Sequence, residues 1–285
     1  MLRIIKADER MKRSAHIKMA LFGPAGAGKT TQARTLPEKE TLFVDLEAGT
    51  LALSDWKGDV VDVRKSATEM GAHPWEFARA LALWLGGPDP ADGHGNYSKT
   101  AYDSVCEVFG PAEGHAKYTT IFVDSITVAS RFCLDWAGTQ PEAFSEKTGK
   151  PDPRGAYGLL GREMIKWLTH LQHTDKTIIV VGILNEEEDD LKRRVYAPQI
   201  EGSQTALKLP GIFDEVITVT TLIGEDKQPK RAFVCHQTNP WGFPAKDRSG
   251  TLELVEPPDL SVLLKKIRAG KRIDAINATT TTSDK

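Results

Sequence analysis

Gly23 to Thr30 read GPAGAGKT and fit the spacing G-x-x-x-x-G-K-[ST] in full. This spacing suits phosphate. Gly23, Gly26 and Gly28 let backbone N–H groups wrap an anion, with Pro24, Ala25 and Ala27 completing the loop. The segment after it, TQARTL, reads as a helix start, whose dipole favours negative charge. Lys29 adds a point charge for β- and γ-phosphates, the Thr30 hydroxyl is a ligand for Mg²⁺, and Thr31 closes the cradle. A metal-bound nucleotide also needs a carboxylate at a strand end. Asp124 closes the apolar run Thr120–Ile121–Phe122–Val123 and is placed for that task, or else caps a helix beginning near Ser125. The chemistry implied is binding of ATP with Mg²⁺.

These residues need a sheet edge to meet on. HIKMALFG, from His16, is a short apolar run ending at glycine; TLFVDLE, YTTIFVDS and TIIVVGIL are three more. Runs of this length without alternation fit strands buried on both faces. Trp75, Phe77, Ala78, Leu81, Leu83 and Trp84 have helical spacing, as do Leu159, Met164, Ile165, Leu168 and Leu171. Strands alternating with helices predict an α/β fold: a mostly parallel central sheet with helices on both faces. Asp214–Ile223 and Arg231–Gln237, separated by the turn-rich GEDKQPK, predict an antiparallel edge. A ligand site is then expected at the carboxyl ends of the strands.

The remaining chain divides simply. Residues 1–15 read as a flexible basic arm, 16–268 as a single domain, and 269–285 as a tail whose end is low-complexity and disordered. Residues 86–117, with GGPDPADGHGNYS, are expected to form a loop-rich insertion. A second irregular stretch is expected over 138–155.

Composition excludes several classes. The chain has 285 residues, 40% hydrophobic and 27% charged, as ordinary globular proteins do. Lys plus Arg number 37 and Asp plus Glu 39, so bulk charge advertises neither nucleic acid nor membrane. Cys106, Cys133 and Cys235 are scattered without ligand spacing, which fits reduced thiols. The seven histidines are too dispersed for a metal site. No signal peptide or membrane span is expected, and the predicted location is cytoplasmic.

A family resemblance sharpens this reading. By themselves, Asp45 and Glu47 in FVDLE are open between a solvated loop start, a ribose contact and catalysis. A strand ending apolar–apolar–Asp–x–Glu directly after the phosphate loop resembles the catalytic-glutamate strand of RecA-like ATPases. That resemblance implies that Glu47 orients or deprotonates the attacking water. It also places a γ-phosphate sensor at Asn185, where the family usually carries Gln or His. Lys246 and Arg248, in AKDR after a Gly–Phe–Pro turn, are implied to reach a neighbouring subunit's ATP; a local ion pair in a solvated turn is the other reading. The closing segment from Gly242 is similar to that of phage-encoded single-domain recombinases.

The implied partners follow from the same resemblance. They are single-stranded DNA, further copies of the chain in a ring or filament, and single-strand-binding or annealing proteins. The matching DNA loops are 138–158, with Lys147, Lys150, Arg154 and Tyr157, and 186–208, with Lys192, Arg193, Arg194 and Tyr196. The second also holds Glu186, Glu187, Glu188, Asp189 and Asp190, which would repel phosphate or pair with the basic run. The function implied is a DNA-stimulated ATPase in phage-type recombination or annealing. A nucleotide-gated assembly or loader protein is the alternative, and a P-loop small-molecule kinase the third.

Overall fold

Lys18–Gly23 (KMALFG) forms β1, and every one of its residues is buried. In a strand successive side chains face opposite ways, so Met19 and Leu21 enter one core while Ala20 and Phe22 enter another. That double burial explains the unbroken apolar run. The same division holds along β2 (Thr41–Asp45), β4 (Thr120–Asp124) and β5 (Thr177–Glu188). The computed structural model of the protein describes residues 4–9, 16–188, 192, 194–224 and 226–270. Most of the predicted basic arm and all but two residues of the predicted tail lie outside these residues.

With β3 (Asp59–Asp62), β6 (Arg194–Pro198), β7 (Glu215–Ile223), β8 (Pro229–Val234), β9 (Lys246–Asp247) and β10 (Val255–Glu256), the strands build one sheet. Its order is β10-β8-β7-β1-β5-β4-β2-β3, with β6 pairing β5 and β9 pairing β7. From β7 to β3 the pairing is parallel. β8 runs antiparallel to β7, as does β10 to β8. The predicted mixed α/β sheet with an antiparallel edge is therefore the observed one. β1 is flanked by β5 and β7, neither adjacent in sequence, so its carboxyl end opens into a crevice between two halves of the sheet.

The helices are α1 (Val63–Glu69), α2 (Pro74–Gly86), α3 (Lys99–Phe109), α4 (Ile126–Ala137), α5 (Pro153–His173), α6 (Ser203–Ile212) and α7 (Leu260–Ala269). α2, α4 and α5 cover one face, where Trp75 meets Trp167 edge-on at 5.6 Å between ring centroids. α7 covers the other, burying Leu260, Leu263 and Leu264, which share one face of the helix. None of the helices among the described residues is long and apolar enough to cross a membrane.

Three local expectations are corrected. The stretch 86–117 is not mainly loop: it carries α3, capped by Ser98 accepting from Ala101 N at 3.2 Å and leaning on α2 through Phe109–Phe77. TQARTL forms a short 3₁₀ turn over Thr30–Thr35, ended by extended Leu36 ahead of Pro37. A residue before proline is driven out of the helical region, which leaves no room for more turns. β5 also runs on to Glu188 and returns through β6 as a ribbon, where a loop was expected.

A buried carboxyl group gives the fold a pH signature. Glu215, at the start of β7, is 1% exposed; its Oε1 accepts from Ser249 N at 3.0 Å and its Oε2 has no partner among the described residues. Burial, with the Asp247 charge beside it, pushes its pKa from 4.5 up to about 8. Between those values the folded chain holds a proton that the unfolded chain releases, so stability falls as pH rises. One proton corresponds to about 1.4 kcal/mol per pH unit. Glu215→Gln should flatten that slope. The interval from 7 to 8 is cleanest, because below 7 the raised Asp124 carboxyl adds a slope of the same sign, and below 6.5 His170, pushed by burial from 6.5 down to about 4, adds an opposite one. Denaturant titrations at several pH values check this; equal slopes in both proteins would show that Glu215 stays ionised.

Candidate functional site

The phosphate loop leaves β1 at Gly23. A side chain there would come within 2.4 Å of the Val219 carbonyl on β7, so only glycine lets β1 and β7 approach so closely. Gly28 has φ +87°, a left-handed conformation that a Cβ would strain. Ala27 N donates to Pro24 O at 3.2 Å, closing the turn. The Lys29 ammonium donates to the carbonyls of Gly23 at 3.0 Å and Pro24 at 2.8 Å. Burial holds its pKa below the usual lysine range, against the opposing pull of Asp124 and Glu47.

Asp124 and Asp45 are register partners at the carboxyl ends of β4 and β2. Both are 2% exposed, yet they act differently. Asp124 Oδ2 accepts from the Thr30 hydroxyl at 2.5 Å, joining β4 to the end of the phosphate loop. Burial pushes the Asp124 carboxyl up to about 7; the Thr30 bond opposes this and the Glu47 charge adds to it. Asp45 Oδ1 accepts from Glu47 N at 3.0 Å and Gly49 N at 3.2 Å. It thus folds the turn that presents Glu47.

Glu47 itself is exposed and accepts a hydrogen bond from the Ser125 hydroxyl. Ser125 also caps α4, its Oγ accepting from Val128 N at 3.5 Å. Lys29, Thr30, Glu47 and Asp124, separated in the chain, are therefore brought to one place. A hydroxyl and a carboxylate oxygen form a hard donor pair that fits Mg²⁺, which keeps most of its ligands as water and phosphate oxygens. No cluster of three or more His, Cys, Asp or Glu competes for a metal among the described residues.

The other predicted residues stand elsewhere. Asn185 lies on the β5 extension, exposed and opposite Ala197 of β6. Lys246 and Arg248 are at the amino edge of the sheet, opposite the phosphate loop. The Lys246 ammonium donates to Pro210 O and Phe213 O, each at 2.7 Å, and so holds the end of α6. Arg248 pairs with Asp214 at 2.8 Å. Neither reaches this chain's own loop.

A cation that the sequence reading overlooked does reach it. The Arg231 guanidinium, from β8, lies 2.4–2.7 Å from where a Gly28 Cβ would stand. The available signal was its place at the start of a strand returning from the carboxyl edge.

Of the two predicted DNA loops, 138–158 is loop only as far as Asp152, pinched by a bridge between Phe144 and Pro151; Arg154 and Tyr157 stand on the first turns of α5, where loop was expected. Lys147, Lys150 and Arg154 are exposed in this stretch, and none has an ion pair among the described residues; Phe144 and Tyr157 are 40% and 46% exposed. On the β5–β6 ribbon, by contrast, Arg194 pairs with Glu186 at 3.1 Å, as the pairing alternative anticipates. Asp189, Asp190 and Arg193 lie outside the described residues.

The solved structures similar to the chain include the following two. The flagellar accessory protein FlaH of Methanocaldococcus jannaschii is 11% identical, with 86% of this chain and 90% of that one covered and a TM-score of 0.31. The uncharacterized protein PH0321 of Pyrococcus horikoshii, in complex with an unknown peptide, is 8% identical, with 76% and 82% covered and a TM-score of 0.34. No curated protein matches. Residues 15–249 match the family model of the AAA domain. The motif, the sheet edge that carries it and this match together make the chain a P-loop ATPase, a member of the AAA domain family.

Proposed function

We propose that this chain binds and hydrolyses ATP and acts on single-stranded DNA in phage-type homologous recombination or annealing. In this reading the loop N–H groups and Lys29 hold the phosphates, and Thr30 with Asp124 holds Mg²⁺, which supplies charge neutralisation on the phosphate oxygens. Glu47, held by Ser125 and displayed by the Asp45 turn, orients the attacking water and takes its proton.

The observation that carries the DNA part is the loop 138–152. With the start of α5 it offers three cations that have no ion pair among the described residues, between two exposed aromatic rings, the pattern that tracks a single strand by charge and stacking. It is also wired to the site: α4 is capped by Ser125, beside Asp124 and Glu47, and leads directly into this loop. The ribbon, with its Arg194–Glu186 pair, is the weaker surface.

The test is ATP turnover with and without single-stranded DNA. DNA should stimulate the wild type, and Lys147→Ala/Lys150→Ala/Arg154→Ala should lose most of the stimulation while keeping basal turnover. Its DNA affinity should also show a shallower salt dependence, by about two to three in log–log slope, because each lost phosphate contact releases fewer counterions. Turnover indifferent to DNA in the wild type would favour a nucleotide-gated assembly or loader protein.

A further inference from the structure

We propose that Arg231 is a nucleotide-binding residue whose guanidinium, set against Gly28 by the β7–β8 hairpin, grips the inner phosphates from the side opposite Asp124 and Glu47. This rests on the reading of Gly23–Thr30 as an ATP cradle.

The placement follows from sheet order. On one side of β1 stand β5, β4 and β2; β4 ends in Asp124 and β2 leads into the turn with Glu47, the carboxylates assigned to the metal and the attacking water. The reacting, terminal phosphate belongs on that side. On the other side stand β7 and β8, and Arg231 opposes Thr221 near the carboxyl end of β7. A nucleotide whose terminal phosphate lies toward β4 and β2 therefore turns its α- and β-phosphates toward Arg231.

The side chain is also uncommitted. A guanidinium carries five donors, and among the described residues that of Arg231 has no hydrogen bond or ion pair. It is exposed, with the open face of Gly28 beneath it. The hairpin's Asp226 is taken by Lys230 at 2.6 Å. An arginine fork matches two phosphate oxygens at once, which the point charge of Lys29 does not.

The position decides between two roles. A cation on the terminal phosphate would act mainly in the transition state and lower kcat. One on the inner phosphates binds substrate and product alike, so it should raise KM and leave kcat nearly unchanged.

The experiment measures binding of fluorescent ATP and ADP analogues with Mg²⁺, and steady-state turnover, for wild type, Arg231→Ala, Arg231→Lys and Lys29→Ala. Arg231→Ala should weaken both nucleotides ~10–100-fold, with KM raised to match and kcat within about threefold. Arg231→Lys should recover part of the affinity, since charge is kept and the fork lost. A circular-dichroism melt checks that each variant is folded; should Arg231→Ala fail to fold, Arg231→Lys against wild type carries the comparison. Wild-type affinity in Arg231→Ala would overturn the proposal. So would a loss confined to ATP with a fall in kcat, which would place the guanidinium on the terminal phosphate. Unchanged binding in Lys29→Ala would instead remove the cradle reading, and the proposal with it.

Discussion

Lys29→Ala should abolish ATP turnover and reduce nucleotide binding by at least ~10²-fold, with little change in fold. The ammonium is the one cation inside the loop, drawn toward Asp124 and Glu47 and partly desolvated, so its charge is effective on a bound phosphate. Losing a single positioned donor of this kind costs ~10²–10³ in rate in other enzymes. Among the described residues it bonds two loop carbonyls, Gly23 O and Pro24 O. Leaving those unpaired costs about 1 kcal/mol, or about 2–4 °C in melting temperature for a domain of this size. Calorimetric titration with ATP and a thermal melt on the same sample separate the effects. A collapsed melt would mean that Lys29 is needed for folding; normal turnover would remove the phosphate-loop assignment.

The strands were legible where both faces are buried, because double burial keeps polar residues out of the middle of the run. Met19–Leu21 and Ile121–Val123 need no partner to be recognised. β3 was not legible: DVVD is a four-residue edge strand, half exposed, with only two valines to signal it. α3 was hidden for a related reason. None of its residues is fully buried, so a helix that touches the body mainly through Phe109 reads as polar chain.

The site divides the same way. The phosphate loop and Asp124 were legible because their chemistry demands local spacing or a fixed place at a strand end, and Glu47 through the resemblance of its strand. Arg231 was not, since its partner Gly28 is about two hundred residues away and the two meet only because β7 lies beside β1. Lys246 and Arg248, which the resemblance assigns to a neighbouring subunit's ATP rather than to this chain's own, are a separate case. Their sequence context announces cations after a turn, but not which edge of the sheet the turn reaches. The edge is set by β9 pairing with the beginning of β7 rather than its end.

Glu47→Gln should leave ATP binding intact and slow hydrolysis ~10²–10⁴-fold. The amide keeps the size of the side chain and can still accept from the Ser125 hydroxyl, so the turn and the cap of α4 persist. What it lacks is a basic oxygen for the proton of water. The adjacent carboxylate supplies the control. Asp45 Oδ1 is already occupied by the N–H groups of Glu47 and Gly49, and an asparagine there can keep the same acceptor oxygen. Asp45→Asn should therefore cost little in rate, with a small loss of stability from a weaker turn. Single-turnover hydrolysis at saturating ATP, run on both variants, isolates the chemical step from binding. A normal rate in Glu47→Gln with a dead Asp45→Asn would exchange the two roles. The water would then be activated from inside the β2 ladder, and the exposed glutamate would be free for another task.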